Sequence, residues 1–179
     1  MNILIACEES QAVTKAFRLK GHVAFSCDLQ PCSGGHPEWH IQDDIMAHLD
    51  DGWDLMIAHP PCTYLSNAGI GWFNELKYGE KARERKRLRD EALDFVMKIA
   101  NANIPKVAIE NPVGWINSHW KKPTQIIQPY FLGTQKAKGH AYGLKGWCYC
   151  SRLILLSQKY MVITRKGKRR ECLFMGTII

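Results

Sequence analysis

Two short segments carry residue types suited to covalent chemistry. In HPPCTYLSNAG, Cys62 follows the apolar run Trp53–Ala58 and is preceded by Pro60 and Pro61. Proline fixes φ and stiffens a turn, so the thiol is presented in a defined direction. In AIENP, Glu110 closes a second apolar run, Lys106–Ile109. A cysteine alone is more often an inert small apolar residue, and a strand-end glutamate more often a solvated one. Together over one pocket, a thiolate and a carboxyl group suit covalent attack on an electron-poor heterocycle. The ring nitrogen is then protonated as sulfur adds.

The elements that must position these residues alternate. Met1–Ala6 is a short apolar run of the kind found in buried parallel strands. From Ser10 onward, Val13, Ala16 and Phe17 follow a helical spacing that Gly21 stops. His22–Cys27 reads as a second strand with Asp28 after its end, and residues 30–40 as a loop rich in Pro and Gly. Trp53–Ala58 is the third strand and Lys106–Ile109 the fourth. Between them Lys81–Asn103 predicts a long helix, with Leu88, Ala92, Phe95 and Ile99 on one face and a solvated Lys/Arg/Glu face opposite. Strands alternating with helices predict an α/β, Rossmann-like fold with a mostly parallel sheet. Ligands in such folds bind beyond the carboxyl ends of the strands. There stand Cys7, Glu8 and Glu9, Asp28, His59 to Cys62, and Glu110 to Pro112.

Composition bounds the rest. A chain of 179 residues with 46% apolar content predicts one domain with a sizeable core. No apolar run is long enough for a membrane span. The start MNILIACEES has neither a basic leader nor a cleavage site, so no secretory signal is expected. Seven scattered cysteines do not form a disulfide framework; together these features predict a cytoplasmic protein. The net charge of +7 is unevenly spread: residues 1–133 carry 14 Lys and Arg against 16 Asp and Glu, and residues 134–179 carry 10 against one.

HPPCTYLSNAG resembles the catalytic loop of the DNA cytosine-5 methyltransferases, and AIENP resembles their Glu-Asn-Val motif. The stretch from Ile3 to Phe131 is similar to small phage- and prophage-borne members of that family, through CEES, AFRLKGH, SCDLQP, WHIQDDI and TQIIQPY. The resemblance implies a methyltransferase-type Rossmann-like domain over residues 1–133, with S-adenosylmethionine as cofactor and DNA as partner. Cys62 would attack C6 of a cytosine flipped out of its stack, and Glu110 would engage N3. Ser66 and Asn67 would shape the loop, with Ser66 counted among the catalytic residues. Cofactor positions carried over are the turn from Cys7 through Glu8 to Ser10, Asp28 for the ribose hydroxyls, Asp44 for the adenine, and Pro60. Base-side positions are Pro61, Asn67, Asn111 and Pro112. No metal is implied. The chain departs from the family in three ways: Gln11 stands where the small members have Gly, there is no separate target-recognition domain, and the C-terminal Asn-containing motif is absent.

After Gln-Pro-Tyr the resemblance stops. If each codon's third base is joined to the next codon's first two, with codons chosen where the code allows, Leu132 to Trp147 reads Gly-Asp-Pro-Glu-Ser-Lys-Arg-Thr-Cys-Leu-Trp-Leu-Lys-Gly-Leu, the family's continuation. We therefore read the basic, divergent segment 134–179 as an out-of-frame translation beginning near residue 132. The alternative is a genuinely divergent basic tail, and the other reading frame of the gene decides between them. On either reading, Cys148, Cys150, Cys172 and His140 match no common zinc spacing; KGKRR at 166–170 resembles a nucleic-acid or nuclear-import patch, or is an accident of frame. Two rival functions remain open at this point: a catalytically inactive domain that binds nucleic acid or a protein, and the same chemistry on a free pyrimidine nucleotide.

Overall fold

A computed structural model describes residues 1–123, apart from Ala68 and Val113, together with the backbone of Leu153–Leu155. The strands are β1 (Asn2–Ala6), β2 (Val23–Cys27), β3 (His40–Ile41), β4 (Leu55–Ala58), β5 (Val107–Glu110) and β6 (Leu153–Leu155). The helices are α1 (Ala12–Leu19), α2 (Glu75–Tyr78), α3 (Glu80–Ala100) and α4 (Trp115–His119). The strands lie in one sheet in the order β3-β2-β1-β4-β5-β6. The first five are mutually parallel, and β6 runs antiparallel to β5.

The composition of each strand follows from its place. β1 and β4 sit at the centre with neighbours on both sides, and Ile3, Leu4, Ile5, Met56 and Ile57 are fully buried. Parallel strands covered on both faces read as continuous apolar runs, which made these two visible in the sequence. Chain order reverses between β1 and β4, so a crevice opens at their carboxyl ends. Among the described residues no helix is long and apolar enough to cross a membrane.

α1 ends as expected. Gly21 takes φ +80°, its N–H donates to the Arg18 carbonyl at 2.9 Å, and His22 N–H donates to the Phe17 carbonyl at 3.2 Å. This crossed pair of bonds needs a left-handed residue, which glycine supplies. α3 runs three residues shorter at its C-terminal end than the expected Asn103, and its buried residues are Ala82, Val96 and Ile99. Leu88, Ala92 and Phe95 are only half-buried, so the apolar stripe is rotated toward Val96.

Two expectations are corrected, and one segment without an expectation gains structure. The loop at 30–40 contains a 3-10 turn, Pro37–Trp39, and its last residue starts β3; a two-residue strand is too short to show a period. The segment after Cys62 holds a 3-10 turn at Ile70–Phe73, then α2. The run Lys81–Arg89 is not uniformly solvated, because Arg85 and Arg89 are half-buried. The boundary near residue 133, the cysteines and histidine of the tail, and KGKRR lie outside the described residues.

Candidate active site

The turn after β1 is hooked onto β2 and then onto α1. The N–H groups of Cys7 and Glu8 both donate to the Cys27 carbonyl, at 2.8 and 3.3 Å. Cys7 takes φ +59°. Glu8 turns inward: its carboxylate accepts from Val13 N–H at 2.7 Å, Thr14 N–H at 3.2 Å and the Thr14 hydroxyl at 2.8 Å. Those amides belong to the first turn of α1, where unpaired donors and the helix dipole favour an anion. Glu8 therefore holds the helix in place, and Glu9 and Ser10 are left to line the crevice.

Gln11, where glycine was expected by resemblance, is also left-handed, at φ +55°. Its buried amide clamps the following loop. Nε2 donates to the His36 carbonyl at 2.6 Å, and Oε1 accepts from His36 N–H at 3.0 Å. A Cβ on Gly34 would come within 2.5 Å of the Gln11 side chain and 2.6 Å of the Ser10 carbonyl, so that loop approaches as closely as glycine permits. Ser33 N–H to the Glu9 carbonyl (2.8 Å) and Lys15 Nζ to the Gly34 carbonyl (3.1 Å) complete the strap.

Asp28 follows β2 and accepts from Gln30 N–H at 2.9 Å through Oδ1. Asp44 accepts from Met46 N–H at 3.0 Å. Burial pushes the Cys7 thiol up to about 12, reinforced by Asp28, Cys27 and Asp44 nearby. That shared field shows the ends of β1 and β2 and Asp44 to be one acidic neighbourhood. His36 and His40 do not converge on each other: His36 pairs with Glu38, while His40 bonds Ser26 and the Gln30 carbonyl.

The second half of the crevice lies on β4 and β5. Their register pairs Ala58 with Ile109, so the next residues, His59 and Glu110, stand side by side. His59 Nδ1 lies 3.7 Å from Glu110 Oε2, and each side chain is 14% exposed. Cys62 opens a tight turn, its carbonyl accepting from Leu65 N–H at 3.2 Å and Ser66 N–H at 3.0 Å. That turn is locked to the segment after β5: Ile116 N–H donates to the Leu65 carbonyl at 3.3 Å. Pro60 is buried, Cys62, Ser66 and Pro112 are half-buried, and Pro61 and Asn67 are exposed. Asn111 is 2% exposed.

Two arginines of α3 back this loop. The Arg85 guanidinium stacks over Tyr64 at 4.9 Å and Phe73 at 5.2 Å and reaches the Thr63 carbonyl at 3.4 Å. Arg89 lies between Phe73 (4.3 Å) and Trp115 (4.2 Å). They tie the Cys62 segment to the Glu110 segment.

Buried polar atoms without a protein partner gather along this edge. They are Glu9 Oε2, Ser10 Oγ, His59 Nε2, Glu110 Oε1 and both amide atoms of Asn111, with the Nε atoms of Arg85 and Arg89 behind the loop in the same condition. Each such atom costs on the order of 1–3 kcal/mol in a folded protein unless water or a ligand meets it. A separate groove of about 550 Å³, lined by Met46, Leu49, Met97 and Asn101 among others, shares no residue with this row. No family model matches the chain, and no curated protein matches it.

An imidazole and a carboxyl group thus stand side by side on adjacent strand ends, the turn that Cys62 opens is joined through its backbone to the segment after Glu110, and an acidic neighbourhood lies at the ends of β1 and β2. Residue types in the sequence marked Cys62, Glu110 and Asp28. They did not mark the roles of His59, Gln11, Arg85, Arg89 or Gly114, which depend on register and on the approach of one loop to another.

Proposed function

We propose that this chain transfers a methyl group from S-adenosylmethionine to C5 of cytosine in DNA. The observation that carries the reading is the joining of the two motifs: Cys62 and Glu110 follow adjacent parallel strands, and their loops meet backbone to backbone at Leu65 and Ile116. The family resemblance of the same two segments supplies the chemistry.

The residues at the ends of β1 and β2 fit the cofactor. Ser10 Oγ and Glu9 Oε2 are buried with no protein partner. Asp28, with only Oδ1 bonded to the Gln30 amide, suits a ribose diol, and Asp44 is the candidate for the adenine. S-adenosylmethionine, when bound, would supply its electrophilic methyl carbon to C5, the methyl–sulfur bond breaking to leave a neutral thioether. The Cys62 thiolate bonds C6 of the base; the ring electrons shift toward N3, which takes a proton through Glu110. C5 thereby becomes the nucleophile. Loss of the C5 proton to solvent and expulsion of the Cys62 thiolate restore the aromatic ring, with the N3 proton returned to Glu110. A base inside a duplex cannot reach a strand-end thiol, so the cytosine must leave its stack.

Transfer of labelled methyl to duplex DNA and to dCMP, in wild type and Cys62→Ala, tests the reading. Label in DNA 5-methylcytosine that disappears in Cys62→Ala supports it. Label in dCMP alone transfers the chemistry to a free nucleotide. Absence of both transfer and cofactor binding leaves a domain that keeps the fold and binds a partner.

A further inference from the structure

We propose that His59 is the proton partner of Glu110, a positioning residue that keeps a transferable proton on the carboxyl group while Cys62 adds to the base. The inference rests on the cytosine reading for its chemistry and on the strand register for its geometry. With Ala58 beside Ile109, the next pair out is held at Nδ1 to Oε2 of 3.7 Å, about half an ångström beyond a hydrogen bond. The ring cannot leave by backbone movement. His59 N–H donates to the Ala6 carbonyl at 3.0 Å, and Pro60 and Pro61 restrict the chain that follows.

The chemistry needs such a partner. When sulfur adds to C6, N3 must gain a proton, but a carboxyl group by itself is ionised at neutral pH and has none to give. An imidazole facing one carboxylate oxygen lets the pair hold one shared proton, as imidazolium and carboxylate or as imidazole and carboxylic acid. The two oxygens of Glu110 then divide the work. Oε2 faces His59, while Oε1, buried without a partner, is left for N3. The pair's one proton passes from Nδ1 to the carboxyl group and on through Oε1 to N3, leaving a neutral imidazole and a carboxylate. His59 Nε2 keeps its proton throughout, and elimination reverses both transfers.

The titratable group shown against the ring is Glu110 at the end of β5; the others on the adjoining segments are Cys62 and Tyr64 on its own loop, and Cys7, Glu8 and Glu9 in the turn after β1, whose preceding residue Ala6 accepts from His59 N–H. Glu8 is committed to α1. Among the described residues only Glu110 stands within ion-pair reach of His59.

The test uses the full chain and the variants His59→Asn, which keeps a polar atom near Nδ1 without a titrating proton, and Glu110→Gln. In His59→Asn, kcat at pH 8 is expected to fall by about tenfold or more. Its alkaline limb moves to lower pH, while KM for the cofactor holds. A wild-type rate and pH profile in His59→Asn overturns the proposal, because then the residue only fills space. Independently of turnover, the His59 ring is followed by NMR titration in wild type and Glu110→Gln. A displaced midpoint in the variant supports the shared proton, and superimposable curves overturn it. If no protein transfers methyl, the function fails, and the NMR pair still decides whether the two groups share a proton.

Discussion

Gly114 lies so close to Ser66 that a Cβ placed on it would come within 2.5 Å of the Ser66 Cα. The same Cβ would meet the Leu65 carbonyl oxygen at 2.6 Å and the Asn67 nitrogen at 2.8 Å. All three are backbone atoms, so no side chain can swing aside. Gly114 itself is extended, at φ −175°, and alanine would be comfortable in that conformation. The need for glycine is therefore one of space. Gly114→Ala is expected to cost about 1–3 kcal/mol through overpacking, read as a lower urea midpoint. It also pushes the Cys62 turn off the Glu110 segment. Methyl transfer should then fall by more than the loss of folded protein explains; activity in proportion to folded protein would show that the contact is structural only.

Gln11 tests the strap over the turn after β1. Its left-handed backbone is unfavourable for any side chain, by roughly 1–2 kcal/mol, and its amide returns two hydrogen bonds worth about 1 kcal/mol each. Gln11→Ala keeps the strain and loses both bonds; Gln11→Gly loses the bonds and the strain together. The expected order of stability is wild type, then Gly, then Ala. Denaturation of the three proteins at one pH checks it: a Gly variant as stable as wild type would mean that the clamp only offsets the strain, and an Ala variant as stable as wild type that the clamp contributes nothing.

Burial of Cys7 and Cys27 predicts an alkaline weakness. Burial is the largest cause holding both thiols up, at about 12 for Cys7 and about 11 for Cys27. In the unfolded chain they ionise near the ordinary thiol value, so the unfolded state gains from rising pH before the folded one does. Their stabilisation is complete below about pH 8.5 and is lost as pH rises through the folded values. Thermal midpoints should therefore decline above pH 9, and less steeply in Cys7→Ala. Alkylation with iodoacetamide at pH 8 should spare Cys7 and Cys27 in the folded protein, because the thiolate is the reactive form.

What the sequence made legible follows the same physics. β1 and β4 were visible because central parallel strands are apolar throughout, and α1 because Gly21 ends it with a left-handed turn. Cys62 and Glu110 stood out because prolines and strand ends frame them. His59 did not, because its meaning lies in the residue across the sheet, and a register between β4 and β5 cannot be read from either segment alone. β3 escaped because two residues show no period. Gln11 read as a missing glycine, yet the backbone keeps glycine's conformation and uses the longer side chain to hold His36. The arginines of α3 looked alike in a run of charge; only the aromatic rings brought to them by distant segments tell Arg89 from Arg87.

That distinction gives the last prediction. Arg87 is exposed and pairs with Glu84 at 2.6 Å and with Glu91. Arg89, two residues on, is half-buried between Phe73 and Trp115, and no carboxylate pairs with it among the described residues. Exposed ion pairs contribute little because water and salt screen them and both side chains lose freedom. Arg87→Ala is therefore expected to leave the denaturation midpoint almost unchanged. A guanidinium held between two ring faces gains about 1 kcal/mol from each, and its removal also uncovers Trp115. Arg89→Ala should lower the midpoint clearly and shift the tryptophan emission to the red. Arg89→Lys should recover only part of the loss, since an ammonium does not stack as a planar guanidinium does. Equal midpoints for the Arg87 and Arg89 variants would return the whole run to a solvated helix face, and with it remove the brace between the two halves of the crevice.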